Sequence, residues 1–212
     1  IVASPSSIAL TEGQAGQDEL IFWDDELNQH GASITERRRI AMAALAPMAS
    51  AAYASMAAED GELVVTYESS IKHQGTLEEV AAYIAERFAS VRSREIQMAQ
   101  TLVGPHRDEL RTTVGGVNVS QYGSRGQIRT VALSLRLAEA GYLTEILGEE
   151  PILLLDDVLS ELDEARRVKV LEAACNAEQA LITMVDGERQ ADELQDAVAT
   201  FWIEAGTVTP VG

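Results

Sequence analysis

A single cysteine, Cys175, occurs in 212 residues, so no internal disulfide can form and a reducing, cytoplasmic setting is expected. Basic residues are also scarce: 16 Lys and Arg face 34 Asp and Glu, a net charge of -18. That balance disfavours indiscriminate adhesion to nucleic acid or to an anionic membrane. Proline (5) and glycine (15) are too few and too irregular for a collagen-like or wholly disordered chain. The opening Ile1-Val2-Ala3-Ser4-Pro5 lacks the basic start of a secretory signal, and the missing initiator Met points to a fragment. Ile40 to Ala58 is uncharged, yet ten of its residues are Ala and it includes Pro47, Ser50 and Ser55, so no membrane span is expected. No Gly-Lys pair occurs anywhere, which excludes a GxxxxGK[ST] phosphate loop within these residues.

What remains is ordinary globular material, 46% apolar and 24% charged, enough for one large or two small domains. Ile1 to Gly31 is Gly- and Asp/Glu-rich, with one aromatic knot at Phe22-Trp23. Ser33 with Glu36 is a capping box that predicts a helix over Arg37 to Ala58, kinked at Pro47. Leu63 to Tyr67 predicts a strand, and Thr76 with Glu79 a second capped helix to about Gln100. Residues 1–100 therefore form one mainly helical lobe and 101–212 a second, α/β part.

In that second part, Gly115-Gly116 between two apolar runs signals a hairpin. Gln127 to Leu147 carries apolar residues at helical spacing. Pro151 to Leu155 is a short apolar run that fits a parallel strand buried on both faces. A helix (Glu164 to Ala177), a strand (Ala180 to Val185), a helix (Arg189 to Ala197) and a strand (Thr200 to Ile203) continue the α/β alternation.

Three features could do chemistry. Asp156-Asp157 ends the apolar strand, and carboxyl edges of open α/β sheets are where ligands bind. One such carboxylate can hold Mg2+ through water while the next orients or deprotonates an attacking water. Alone, the pattern fits equally a strand that ends in two solvated acids. Tyr122 to Gln127 places Ser124, Arg125 and Gly126 at a helix start, where free N–H groups and the helix dipole attract phosphate. A plain Ser-capped turn has the same sequence. Ser160-Glu161-Leu162-Asp163 follows the acids, with Ser160 or Asp163 capping the next helix.

Together these segments resemble the ABC-type ATPases of the SMC and RecF group: an ABC signature from Ser124, a Walker B at Asp156-Asp157, a D-loop over Ser160 to Asp163. The likeness to the RecF family is closer. Gly104-Pro105-His106-Arg107-Asp108 is similar to its GPHRD segment, Ser124 to Thr130 to its signature helix, and Leu153 to Asp163 to its LLLDDVxSELD block. Trp23-Asp24, Leu27, Gly31-Ala32 and Ile34 resemble its WD..L...GA.I stretch. Val185 departs from the family, standing where RecF proteins carry Thr. The resemblance covers roughly Leu20 to Asp186.

The resemblance implies an α/β fold, part of an ABC-type P-loop ATPase head with a mainly helical inserted lobe. It implies ATP and Mg2+ as cofactors and a head-to-tail homodimer formed with ATP. Ser124, Arg125, Gly126 and Gln127 would contact nucleotide in trans, with Ser160 and Asp163 nearby; Asp156 would hold the metal and Asp157 position water. It also implies single- and double-stranded DNA as substrate, recombinase loading at gaps, RecR and RecO as partners and no membrane. Eight of the arginines fall between Arg87 and Arg136 against three acids, a candidate phosphate-facing segment. Another SMC- or OLD-like ATPase half, or a non-catalytic interaction module, are the competing readings.

Overall fold

The computed structural model describes residues 17–159, 162–184 and 199–210, with side chains from residue 22 onward. The described chain divides into two compact units. One holds the residues up to Ala44 and Thr66–Arg111; the other holds Leu45–Val65 and the residues from Thr112 onward. Residues 45–65, assigned by the sequence to the first lobe, thus pack with the second.

Helix α1 (Gln17–Ala57) gives its residues up to Ala44 to the first unit, where they accompany helix α2 (Leu77–Met98). Helix α1 starts about twenty residues before the expected Arg37, so Ser33 and Glu36 lie inside it and cap nothing. Tertiary packing overrides the local signal. Ala32 joins Ile71, Val80, Ile84, Phe88 and Val103 in one apolar core, with Leu27 against it. Asp24 pairs with Arg92 of α2. Burying these groups stabilises helix ahead of the start that the capping box predicts. Helix α2 begins as expected, with Thr76 and Glu79 forming a reciprocal capping box.

The Gly104 to Asp108 block is a clamp within this unit. Arg107 donates from Nε and Nη2 to the Thr101 carbonyl at 2.9 and 2.7 Å. Arg38 Nη1 donates to the Pro105 carbonyl at 2.6 Å. The Asp108 carboxylate is buried; it accepts from the Ser70 amide at 2.7 Å, from the Tyr67 hydroxyl, and lies 3.7 Å from Arg38 Nη1. Burial, and then the hydrogen bond to Asp108, raise the Tyr67 pKa.

Strands β1 (Leu63–Glu68), β2 (Glu109–Val114) and β3 (Val117–Asn118) form a sheet in that order. The β2–β3 hairpin turns on Gly115 and Gly116, at φ 56° and 81°, a left-handed pair that glycine adopts without cost. After the short helix α3 (Val119–Tyr122) comes α4 (Arg125–Leu147). Strand β4 (Leu153–Asp156) then pairs in parallel with β5 (Ala180–Thr183), in register from Leu153 with Ala180 to Asp156 with Thr183. Helix α5 (Glu164–Asn176) crosses between them.

Met56, Leu133, Leu155, Leu159, Leu162, Val170, Leu171 and Ala174 make this unit's core. Its composition explains the side-chain choice: Leu155 points in, whereas Leu154 is 70% exposed. The expectation of a strand buried on both faces is therefore corrected, because among the described residues β4 lies in a two-stranded sheet covered on one side. A second correction concerns the chain end. Phe201–Glu204 (β6) does not extend the parallel sheet but forms an antiparallel hairpin with Thr207–Pro210 (β7). The expected helix Arg189 to Ala197 and Val185 lie outside the described residues.

One stretch, Phe22–Asp60, is long and apolar enough by length and composition to cross a membrane. Within it, Ala49, Tyr53, Met56 and Ala57 are buried in protein.

Candidate functional site

The Gly-rich turn is open to solvent at Ser124 and Arg125, directly ahead of α4. Ser124 is its N-cap: Oγ accepts from the Gln127 amide at 3.2 Å, and Gln127 Oε1 accepts from the Ser124 amide at 3.0 Å. This reciprocal box satisfies two groups that would otherwise lack partners and fixes the angle at which the chain enters the helix. The helix beyond is 23 residues long, so its amide dipoles concentrate about half a unit of positive charge at this end. Thr130 and Ser134 turn their hydroxyls back onto the carbonyls of Gly126 and Thr130, at 2.8 and 2.7 Å, and are buried.

Asp156 is the last residue of β4 and Asp157 the first beyond it, and both are exposed. Thr183, at the same level of β5, joins them. Its hydroxyl donates to Asp156 Oδ1 and accepts from the Asp157 amide, the latter at 3.0 Å. Asp157 has φ 50°, a left-handed conformation that costs a non-glycine residue about 1–2 kcal/mol. The tether to Thr183 holds that bend and turns the chain away from the sheet at the acids. The carboxylates thus stand at the carboxyl edge of a parallel pair, as the sequence implies.

Asp163 caps α5, its Oδ1 accepting from the Arg166 amide at 3.0 Å. Ser160, the other residue of that segment, lies outside the described residues.

What links these parts is a long-range contact with no local signature. Arg166 Nη2 donates to Asp60 Oδ2 at 2.6 Å, and its Nη1 lies 3.3 Å from Asp163 Oδ2. Asp60 Oδ2 also accepts from the Tyr53 hydroxyl at 3.2 Å. Burial, and then the Asp60 charge, push the Tyr53 pKa up to about 12, so it remains a neutral donor. A Cβ at Gly126 would come within 3.1 Å of Arg166 Nη1. The capped turn of α4 and the cap of α5 therefore meet on one guanidinium.

The residues fit a magnesium ion shared with a nucleotide rather than a protein-only cage. No group of three His, Cys, Asp or Glu side chains converges among the described residues. An exposed carboxylate at a strand end is the usual single protein contribution where phosphates and water supply the rest.

The arginine-rich segment is partly engaged internally. Arg92, Arg107, Arg111 and Arg136 bind Asp24, the Thr101 carbonyl, Glu68 and Glu139, while Arg87, Arg94 and Arg125 are exposed.

A capped, exposed helix start and paired acids at a parallel strand's carboxyl edge are the parts of an ABC-type ATPase head, here with a mainly helical lobe. Comparison with known proteins agrees. The chain is 40% identical over 195 residues to the DNA replication and repair protein RecF of Chloroflexus aurantiacus, covering 90% of this chain and 49% of that protein. RecF of Geobacillus kaustophilus is 40% identical over 182 residues, 84% of this chain and 48% of the relative. A solved structure of the recombination mediator RecF with ATP superposes with a TM-score of 0.76 at 27% identity, over 98% of this chain and 55% of that one. A second RecF structure, with an ATP analogue, gives 0.79 at the same identity and coverage. No family model matches. The chain is a RecF homologue, and it spans about half the length of the curated relatives it matches.

Proposed function

We propose that this chain supplies the signature and Walker B elements of a RecF-type DNA repair ATPase. The observation that carries this reading is the pairing, in one unit, of the exposed Ser124-capped end of α4 with Asp156-Asp157 at the edge of β4. In this reading two protomers close head to tail on ATP. Ser124, Arg125, Gly126 and Gln127 face the γ-phosphate bound by the opposite protomer, where free amides and the helix dipole stabilise negative charge. Magnesium, when bound, screens the phosphate charge and is held from the protein by Asp156. Asp157 accepts a hydrogen bond from the attacking water and takes its proton. Ser160 and Asp163 meet the partner protomer beside the nucleotide.

The 212 residues contain no GxxxxGK[ST] loop, so hydrolysis requires a segment that supplies one, and this chain alone should not turn over ATP. By analogy with the RecF relatives, the ATP-closed dimer acts in the cytoplasm on single- and double-stranded DNA at gaps. RecR and RecO are its partners and recombinase loading is its output. In this reading the unit that holds Thr66–Arg111 and the residues up to Ala44 corresponds to the arm lobe, and the unit that holds Leu45–Val65 and the residues from Thr112 onward to the head. Within the arginine-rich segment, the exposed Arg87 and Arg94 are open to DNA phosphates, and binding through them should weaken steeply with salt.

The test is a chimaera in which this chain replaces the matching half of Chloroflexus aurantiacus RecF. Ser124→Arg should abolish its ATP-dependent dimerisation in sedimentation. Unchanged dimerisation would remove the in-trans role of the turn.

A further inference from the structure

Arg166 occupies an electrostatically unfavourable place. It lies within the first turn of α5 and against the first turn of α4, so its cation faces the positive ends of two helices. Its side chain is 13% exposed, and its Nε is buried with no hydrogen-bond partner among the described residues. A cation there weakens both helices unless acids offset it, and Asp60 and Asp163 do so from either side. Asp60 is itself held by the Tyr53 hydroxyl, at the end of α1 in the same unit. A local rule broken at such expense, and compensated by three dedicated groups, marks a position kept for function.

We infer that Arg166 is a positioning residue for nucleotide turnover: its fork fixes the α4 turn at Gly126 relative to the Asp163 cap and adds positive potential where a phosphate would dock. This rests on the nucleotide reading above and extends it to a residue outside the three motifs. The planar guanidinium is required, because one Nη serves Asp60 while the other lies by Asp163 and Gly126. A lysine ammonium offers a single point charge and cannot span both carboxylates in that geometry. Since the turn acts on the phosphate only in the closed dimer, its misplacement affects turnover more than initial ATP binding.

The experiment uses the same chimaera with ATP as substrate, comparing Arg166→Gln, Arg166→Lys, Asp60→Asn and Asp157→Asn. Arg166→Gln and Arg166→Lys should each lower kcat about tenfold or more while KM for ATP stays within about twofold, as expected of lost orientation. Asp60→Asn, which leaves the α5 cap intact, should lower kcat in the same direction with KM unchanged. A kcat within about twofold of the parent in both folded Arg166 variants and in Asp60→Asn, beside an inactive Asp157→Asn, overturns the inference and leaves the nucleotide reading standing. A rise in KM with kcat unchanged also overturns it. An active Asp157→Asn overturns the reading itself and the inference with it.

Discussion

Thr183 holds Asp156 from the neighbouring strand: its hydroxyl donates to Asp156 Oδ1 where the two residues face each other in the parallel register. The same oxygen receives the Asp157 amide, so one side chain sets the geometry of both acids.

Removing that hydroxyl should therefore misplace the acids without collapsing the sheet. Thr183→Val preserves shape and β-propensity, and in the chimaera it should lower ATP turnover about tenfold or more. Thr183→Ser, which retains the donor, should stay close to the parent. Steady-state phosphate release on the three proteins checks this, and equal rates for Val and Thr would show that the tether is dispensable.

In the isolated chain, the cap of α5 should contribute measurably to stability. Asp163→Ala removes the acceptor for the Arg166 amide and should cost about 1 kcal/mol, whereas Asp163→Asn should cost less. Chemical denaturation of the 212-residue chain with each substitution measures the difference.

The Tyr53 phenol gives a pH dependence of defined sign. Its folded pKa, about 12, lies above the ordinary value of 10.0, so the fold favours the protonated phenol. The associated stability is fully present below pH 10 and declines as pH rises toward 12, because the unfolded chain loses its proton first. Tyr53→Phe should flatten that part of the stability profile relative to the parent chain. Parallel profiles from pH 9 to 12 for the two proteins would contradict the assignment.

Elements set by neighbours in sequence were legible. Thr76 with Glu79 and Ser124 with Gln127 form the capping boxes their spacing implies, and Gly115-Gly116 makes its hairpin. Asp163 caps α5 as read. The failures come from distant packing. The Ser33–Glu36 box is sound locally, but Leu27 and Ala32 gain more by burial in a longer α1 than a turn would give. The run Ile152 to Leu155 shows that apolar sequence reports a tendency to be covered, not that the described residues cover it: Ile152 and Leu154 are exposed. The β6–β7 turn rests on Ala205-Gly206, both left-handed, and lacks the Asn-Gly or Asp-Gly pair that would have announced it. The Asp60–Arg166 contact joins residues 106 apart and has no local signature.

The central claim is that the acids ending β4 carry out chemistry on a nucleotide. The most direct measurement is phosphate release from ATP by the chimaera with intact Asp157 and with Asp157→Asn, a change that keeps size and removes the negative charge and the proton acceptor. The expected result is a loss of about a hundredfold or more, the usual contribution of a positioned general base. Equal rates in the two proteins would contradict it.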